Sequence, residues 1–272
     1  MLKLTRRLCV VSTVLFSLAG STQQSQAPNQ TPKALYERGL NALQGSGPSR
    51  DAMRGIDDIK SAATANYTPA QFALAYFYDT GSYVSQSSSE ATRWYRKAAE
   101  GDDGFAEYAT GRAYYVGGAG SGRDLNEAKK WLVKAADKGI PQAQYLLGKV
   151  METLDYKAAP EFYRRAAEVG FPLAQYRLGL ALASGRGIPI DRAEAYGWLL
   201  LSYEAHVDAA ATPLSDLESF LGTNGTEAAK SRARDLEKSM TRAAHPSGCQ
   251  GWAGELDEIP SVPPPQIRQF CP

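Results

Sequence analysis

The 272-residue chain has few of the side chains that most metal and nucleophilic sites require, with only two histidines and three cysteines. These are too few for most zinc clusters. Neither His206 nor His245 stands beside a serine or cysteine motif of the kind that a catalytic base serves. A phosphate-binding loop of the form G-x-x-x-x-G-K-[ST] is also missing. We therefore expect a protein with no catalytic residues, no metal and no cofactor.

The chain also lacks an excess of charge of either sign, because it has 30 Lys and Arg residues and 29 Asp and Glu residues. Proteins that bind nucleic acid concentrate basic residues on one face, so this balance argues against a nucleic-acid partner. The acidic pairs Asp57-Asp58 and Asp102-Asp103 are placed in or beside predicted turns. We expect them to be solvated surface and not catalytic carboxylates.

Long hydrophobic runs are missing apart from one short run, Leu8 to Leu18, that follows Lys3, Arg6 and Arg7. The order of basic residues, apolar run and small residues is typical of a secretory signal peptide. We predict a signal peptide over 1–21, cleaved after Ala19 or Ser21, and a linker over 22–33. An uncleaved anchor helix is the alternative, but the run is short for a bilayer.

These features predict a periplasmic or secreted protein with no stable membrane insertion after cleavage. A lipoprotein would need a cysteine where Ser21 stands, so we expect the mature chain to carry no lipid. Cleavage leaves 27 basic and 29 acidic residues, and it also removes Cys9.

The remaining cysteines, Cys249 and Cys271, are expected to meet an oxidising compartment and to form one structural disulfide. That bond would close a proline-rich tail over 245–272. A redox-active pair is the alternative, but the two cysteines lack the C-x-x-C spacing.

Between residues 34 and 206 the chain repeats one phrase, Ala-x-aromatic-x-x-Gly, in which the second unit has Ala75 for the glycine. The successive first alanines are 36, 36, 37 and 31 residues apart: Ala34, Ala70, Ala106, Ala143 and Ala174. A second phrase ending in Ala-Ala follows in most units, as in Trp94 to Ala99. Apolar residues step by three and four in both phrases, which predicts two helices per unit.

Capping residues mark the boundaries of these helices. The predicted N-caps of the second helices are Asp51, Ser87, Asp124, Asp155 and Asp191, three of which precede a Glu by three residues as in a capping box. The predicted C-terminal stops are Gly101, Gly139 and Gly170, and the predicted turn glycines are Gly81, Gly117, Gly118, Gly185 and Gly187. Glycine in the first helix and Ala-Ala in the second let the two backbones approach closely. Such hairpins need neighbours to bury their apolar faces, so a series of them predicts a solenoid.

These phrases resemble the Sel-one-like repeat (SLR) family, relatives of the tetratricopeptide repeats, with the motif A-x-Y-x-L-G-x-x-Y-x-x-G-x-G-V, then D, then A-x-x-W-Y-x-K-A-A-x-x-G. The fifth unit matches it most fully: Ala174, Tyr176, Leu178, Gly179, Gly185, Gly187, Ile188, Asp191, Ala195 and Trp198. The resemblance covers 34–206. It implies an all-α, right-handed α-solenoid of about five SLR helical hairpins.

Two units depart from the motif. The first has Asp58 in the tryptophan position, as expected of a terminal repeat that faces solvent. The fourth has lost five loop residues and carries Pro160 inside its second helix, so we expect that helix to start late and the superhelix to step irregularly there.

Residues 207–244 are predicted to form C-terminal capping helices. One face of the last helix carries small and apolar residues: Ala229, Ala233, Leu236, Met240 and Ala243. Prolines from Pro246 onward preclude a regular helix in the tail. A partner that binds the prolines at 263–265 is an alternative to a simple stiff tail.

By resemblance to tetratricopeptide repeats, offsets 2, 6 and 9 of each first helix line a concave groove. The candidate partner-binding residues are Tyr76, Asp79, Arg112, Tyr115, Lys149 and Glu152. Tyrosine and arginine suit recognition of a protein or peptide. The offset-2 aromatics Tyr108, Tyr145 and Tyr176 are expected to pack between adjacent units instead of contacting a partner.

The resemblance implies a non-enzymatic adaptor or regulator of a cell-envelope process that binds a protein. A more specific alternative is a periplasmic immunity protein that neutralises a phospholipase-type toxin delivered by type VI secretion. The enzyme alternative, a β-lactamase or a cell-wall hydrolase, would follow from cysteine-rich SLR proteins, but no cysteine lies within 34–206.

Overall fold

The computed structural model describes residues 31–44, 51–118 and 122–242. Its helices are α1 (Pro32–Gln44), α2 (Ala52–Thr64), α3 (Thr68–Thr80), α4 (Ser88–Glu100), α5 (Gly104–Val116), α6 (Leu125–Asp137), α7 (Pro141–Leu154), α8 (Ala159–Glu168), α9 (Pro172–Ser184), α10 (Arg192–Glu204) and α11 (Ala211–Arg242), with a 3₁₀ turn at Asp208–Ala210. Each odd-numbered helix from α1 to α9 packs against the even-numbered helix that follows, and each hairpin packs against the next. The described part of the chain has no β-strand and is the predicted all-α solenoid.

Several predictions concern residues outside the described ranges. They are the signal peptide, the cleavage site, most of the linker, Ala243, the proline-rich tail and the Cys249–Cys271 disulfide. Helix α1 begins at Pro32, two residues inside the predicted linker.

Four of the five predicted N-caps are confirmed. The side chains of Asp51, Ser87, Asp124 and Asp191 each accept a hydrogen bond from a backbone N–H in the first turn of the following helix. The prediction for Asp155 is wrong. This residue ends α7, and its side chain accepts from the Lys157 amide, because the shortened loop leaves α8 to start only at Ala159.

The backbone N–H groups of the N-cap residues turn back to the first helix of their own hairpin. Those of Ser87, Asp124 and Asp191 donate to carbonyl groups of Tyr78, Tyr114 and Leu182 at 2.9–3.1 Å. Each acceptor lies eight residues after the first alanine of its unit. This bond replaces the reciprocal half of a capping box and fixes the turn of each hairpin.

Each hairpin ends at a residue in the left-handed backbone conformation, which lies three residues after the second alanine of the Ala-Ala position. Gly139 and Gly170 occupy it as predicted, but Asn66, Asp102 and His206 take the same conformation in the other units. Gly101 is the C-cap of α4 as predicted, but the left-handed conformation is taken by the next residue, Asp102. Asn and Asp tolerate positive φ better than most residues.

Close helix contact at the glycines is confirmed. A Cβ atom placed on Gly179 of α9 would lie 2.6 Å from Leu199 Cγ of α10, and Gly111 meets Leu132 in the same way. The alanine pairs of the second helices are fully buried between hairpins, as at Ala135 and Ala136.

The expectation that Asp58 faces solvent is wrong. Asp58 lies in the middle of α2, not in a turn, and is 8% exposed. The Arg38 guanidinium of α1 donates two hydrogen bonds to its carboxylate, at 2.5 and 2.6 Å. The ion pair takes the place of the tryptophan packing in the other units, because a buried carboxylate needs a partner.

The predicted capping helix is confirmed for its described residues. Helix α11 bends at Gly222, and its second half covers α10 with Ala229 and Ala233 buried. Leu236 and Ala233 contact the position of Gly197 on α10.

Candidate protein-interaction face

The six predicted groove residues lie on three consecutive first helices, α3, α5 and α7, and none is fully buried. We call this set, Tyr76, Asp79, Arg112, Tyr115, Lys149 and Glu152, the first-helix row. Two inter-unit contacts connect its members, and a third links Glu152 to α9.

The first contact joins the second and third units. Arg112 of α5 forms an ion pair with Asp79 of α3, and the Tyr95 hydroxyl of α4 donates to the same carboxylate at 3.5 Å. The side chains of Arg112 and Asp79 are 16% and 22% exposed. Both predicted residues are therefore together, but their charged groups are largely engaged with each other.

The second contact joins the third and fourth units. Lys149 Nζ of α7 lies 5.8 Å from the centre of the Tyr115 ring of α5, and the Arg123 guanidinium lies 4.3 Å from the same ring. Stacking of two cations on one ring keeps the ring oriented at modest energetic gain. Arg123 follows the glycine-rich turn after α5, and the helical periodicity that found the other residues could not place it.

The third contact joins the fourth and fifth units. Glu152 Oε1 of α7 lies 3.8 Å from Arg177 Nη1 of α9. Sequence reasoning missed Arg177 because it lies at offset 3 of its unit, whereas offset 6 is Leu180. Burial, together with the nearby Glu152 carboxylate, raises the pKa of the Tyr163 hydroxyl, so this group remains a hydrogen-bond donor.

Tyr76 lies on α3 and is partly buried, with its ring centre 6.3 Å from that of Phe77. Tyr108 and Tyr145 at offset 2 are buried and pack in the core between units, whereas Tyr176 is only partly buried. For Tyr108 and Tyr145, packing between units is therefore the role that the structure supports.

A second set of inter-unit bonds was missed, although the sequence carries its signal. Glutamine follows the first alanine in three units, and its side-chain amide donates to the second-alanine carbonyl of the preceding unit at 3.2–3.4 Å: Gln71 to Ala63, Gln144 to Ala136 and Gln175 to Ala167. The third unit has Glu107 there, paired instead with Lys138 at 2.8 Å. The recurrence of glutamine beside the repeated alanine could have indicated this role.

Within residues 31–44, 51–118 and 122–242, no group of three or more His, Cys, Asp or Glu side chains is arranged to hold a metal ion. Over the same ranges, no helix combines the length and apolarity that a membrane crossing needs.

The Sel1 repeat family matches four consecutive segments, 68–103, 104–140, 141–171 and 172–206, which together make up more than half of the chain. The chain belongs to the Sel1 repeat family. The matched segments coincide with the hairpins α3–α4, α5–α6, α7–α8 and α9–α10. Sel1 repeats are generally a non-catalytic interaction scaffold.

Curated relatives match part of this chain. The chitin synthase regulator SKT5 of Malassezia restricta is 35% identical over 129 residues, which are 46% of this chain and 8% of that protein. The SKT5 protein of Saccharomyces cerevisiae is 34% identical over 46% of this chain and 18% of its own. This chain thus spans less than a fifth of these regulators. An uncharacterized protein of Neisseria meningitidis serogroup B is 29% identical over 68% of this chain and 39% of its own.

Solved structures share the solenoid. The Sel1 repeat protein from Oxalobacter formigenes has a TM-score of 0.62 and 28% identity, over 79% of this chain and 88% of its own. Protein c5321, a protective antigen present in uropathogenic Escherichia coli strains, has a TM-score of 0.66 at 23% identity, over 80% of this chain and 50% of its own. The second likeness shows the fold alone.

Proposed function

We propose that this Sel1 repeat chain is an exported, non-enzymatic adaptor or regulator that binds a protein partner along the first-helix row. The observation that carries the proposal is the continuity of the row across two unit junctions, with Glu152 contacting Arg177 across a third. It alternates acidic, basic and aromatic side chains and leaves Tyr115 and Lys149 partly exposed. Such a mixture recognises a partner by shape and directed hydrogen bonds and not by bulk charge.

The names of the fungal relatives support the regulatory part of the proposal. They are called regulators of chitin synthase, an enzyme, and each match covers 46–47% of this chain. A role in which the solenoid engages and controls another protein agrees with this description.

Substitution in the row tests the proposal. Lys149→Glu reverses the charge of a partly exposed residue whose recorded contact is with the Tyr115 ring. We expect this variant to recover at least about tenfold less partner from a periplasmic extract, as judged by quantitative mass spectrometry, since removing a hot spot costs more than about 1 kcal/mol.

Lys129→Glu is the matched control, because it makes the same charge change at an exposed position of the second helix α6. It should recover the partner as the unaltered chain does. Equal recovery of the partner by both variants would show that the partner binds elsewhere, and would refute binding along the first-helix row.

The recovered protein also separates the two proposed roles. A component of envelope synthesis or signalling supports the adaptor or regulator. A phospholipase-type toxin whose activity the chain blocks in vitro supports the immunity protein. The presence of a toxin gene beside the gene for this chain is a simpler first check of the second role.

Export is proposed from the basic residues and apolar run at the amino end of the sequence. Expressed in a Gram-negative cell, the chain should appear in the periplasmic fraction with Gly20 or Thr22 as its first residue, as measured by intact-mass spectrometry. Full-length chain retained in the cytoplasm or the membrane would contradict this part of the proposal.

A further inference from the structure

A cavity of about 140 Å³ opens between α7, α8 and α9, where the fourth unit differs from the others. Its lining includes Glu152, Tyr163, Arg177 and Arg186, with Pro160 and Leu180 as apolar wall. Four residues connect α7 to α8, whereas seven connect α3 to α4 and α9 to α10. The shortened turn leaves room at the end of α7 that a full-length loop would occupy.

The next unit forms the rim of this opening. Gly187, in the loop after α9, approaches the short turn so closely that a Cβ atom there would lie 2.5 Å from the Tyr156 carbonyl oxygen. The same loop carries Arg186, which is exposed and lines the cavity. The cavity is therefore built by two adjacent units and is held by their backbone contact.

Cationic side chains outnumber anionic ones in the cavity lining. Tyr163 is 2% exposed, and its hydroxyl lies near the Glu152 carboxylate without a close hydrogen bond; Arg177 Nε also makes no close hydrogen bond to the described residues. Over the described ranges, no carboxylate lies within ion-pair distance of Arg186. Among the lining residues Glu152 is the only acid and stands against two arginines. Buried donors without acceptors are costly, so such a set favours an anionic acceptor.

The junction between the second and third units provides an internal comparison. There the acid at offset 9, Asp79, accepts from the Tyr95 hydroxyl and pairs with Arg112. Tyr163 stands at the position of Tyr95, and Glu152 at that of Asp79. At the junction between the fourth and fifth units, Glu152 forms a looser ion pair with Arg177 at 3.8 Å, and the Tyr163 hydroxyl lies near the same carboxylate without a close hydrogen bond. The three equivalent groups are therefore held together less tightly at this junction than at the other.

We propose that this cavity binds a carboxylate group from a peptide segment of the protein partner, between Arg177 and Arg186, with Tyr163 as a further donor. The inference rests on the proposed function and names the chemistry that the partner must present. A cavity of roughly 150 Å³ accommodates a benzene-sized group, so one acidic side chain or one chain terminus fits. Arginine pairs with carboxylates through charge-assisted hydrogen bonds.

Three peptides test the proposal on the full chain by NMR. Acetyl-Gly-Glu-Gly-amide should produce saturable shifts of the Arg177 Nε–H signal and of the amides of residues 184–187. Acetyl-Gly-Gln-Gly-amide should bind about tenfold or more weakly, because hydrogen bonds to a charged group contribute about 1.5–3 kcal/mol. Acetyl-Gly-Gln-Gly with a free carboxyl end distinguishes a chain terminus from a side chain as the source.

Arg186→Gln removes one cation from an exposed loop position and leaves the core intact. It should weaken the binding of the Glu peptide by about tenfold. Arg96→Gln is the control, because it removes an exposed arginine of α4 that does not line the cavity. It should leave the binding of the Glu peptide unchanged.

Equal binding of the Glu and Gln peptides, no saturable shift, or no effect of Arg186→Gln overturns the inference. The outcome is separable from that of the proposed function. If Lys149→Glu abolishes partner capture while the carboxylate peptides fail to bind, partner binding along the first-helix row is supported and carboxylate binding in the cavity is refuted. If the peptides bind selectively but Lys149→Glu leaves partner capture unaffected, carboxylate binding in the cavity is supported and partner binding along the row is refuted.

Discussion

Gly179 illustrates how single small residues set the spacing of helices in this fold. A Cβ atom at this position would meet Leu199 Cγ at 2.6 Å and the Ala195 carbonyl oxygen at 3.2 Å. Gly179→Val adds three carbons at this contact, and we expect it to lower the free energy of unfolding by about 3 kcal/mol, since overpacking of this kind costs 1–3 kcal/mol and occasionally more.

Urea denaturation followed by circular dichroism measures the change. Gly118→Val is the control, because a Cβ atom there meets nothing closer than 3.6 Å, and its midpoint should move little. An unchanged midpoint for Gly179→Val would show that the close approach is not required.

Asp58 makes the stability of the first hairpin depend on pH. Its hydrogen bonds from Arg38 hold the pKa of the carboxyl below its usual range. Since the pKa is lower in the folded chain than in the unfolded one, about 3.9, the pair stabilises the fold above that pH. This stabilisation is lost as the pH falls through the folded-state pKa.

With Asp58→Asn, the free energy of unfolding should therefore decrease less steeply as the pH falls below about 4. Thermal unfolding between pH 2 and 7 measures this dependence. Asp57→Asn, at an exposed neighbouring position, should retain the slope of the unaltered chain. A slope that Asp58→Asn leaves intact would mean that the ion pair contributes no acid sensitivity.

At the scale of elements, the second half of α11 closes the open end of the solenoid. Ala233 is 2% exposed and lies against the backbone of α10 at Gly197. Ala233→Glu would bury an unpaired carboxylate there, and we expect it to cost about 3 kcal/mol or more of the unfolding free energy.

Ala228→Glu is the matched control, because this alanine is exposed on the same helix. It should change the unfolding free energy by less than about 0.5 kcal/mol. Chemical denaturation of both variants provides the measurement. Equal stability of the two would contradict the capping role of the helix.

The elements that the sequence predicted best are those set by local chemistry. Side-chain caps such as Asp124 act within one turn, so the sequence showed where most second helices begin. The prediction that Asp155 caps the second helix was wrong because the loss of loop residues changed the chain path before that helix. The prediction that Asp58 faces solvent was wrong for a different reason, since its partner Arg38 lies 20 residues away on another helix.

At the scale of the whole molecule, repetition places equivalent side chains of neighbouring units next to each other. The offset rule therefore placed Asp79, Arg112, Tyr115 and Lys149 on one face of the first helices, where Asp79 pairs with Arg112 and Tyr115 contacts Lys149. The rule could not predict Arg177, because this residue lies at offset 3 of its unit and not at offset 2, 6 or 9. It also could not predict the cavity, which depends on the backbone path around Gly187.

The central claim is that the first helices of the solenoid form the partner-binding face. Amide hydrogen exchange, measured by mass spectrometry on the chain alone and bound to its captured partner, tests it most directly. The account predicts slower exchange on binding in α3, α5 and α7, with α4, α6 and α8 unchanged. Slower exchange confined to α4, α6 and α8 would contradict it.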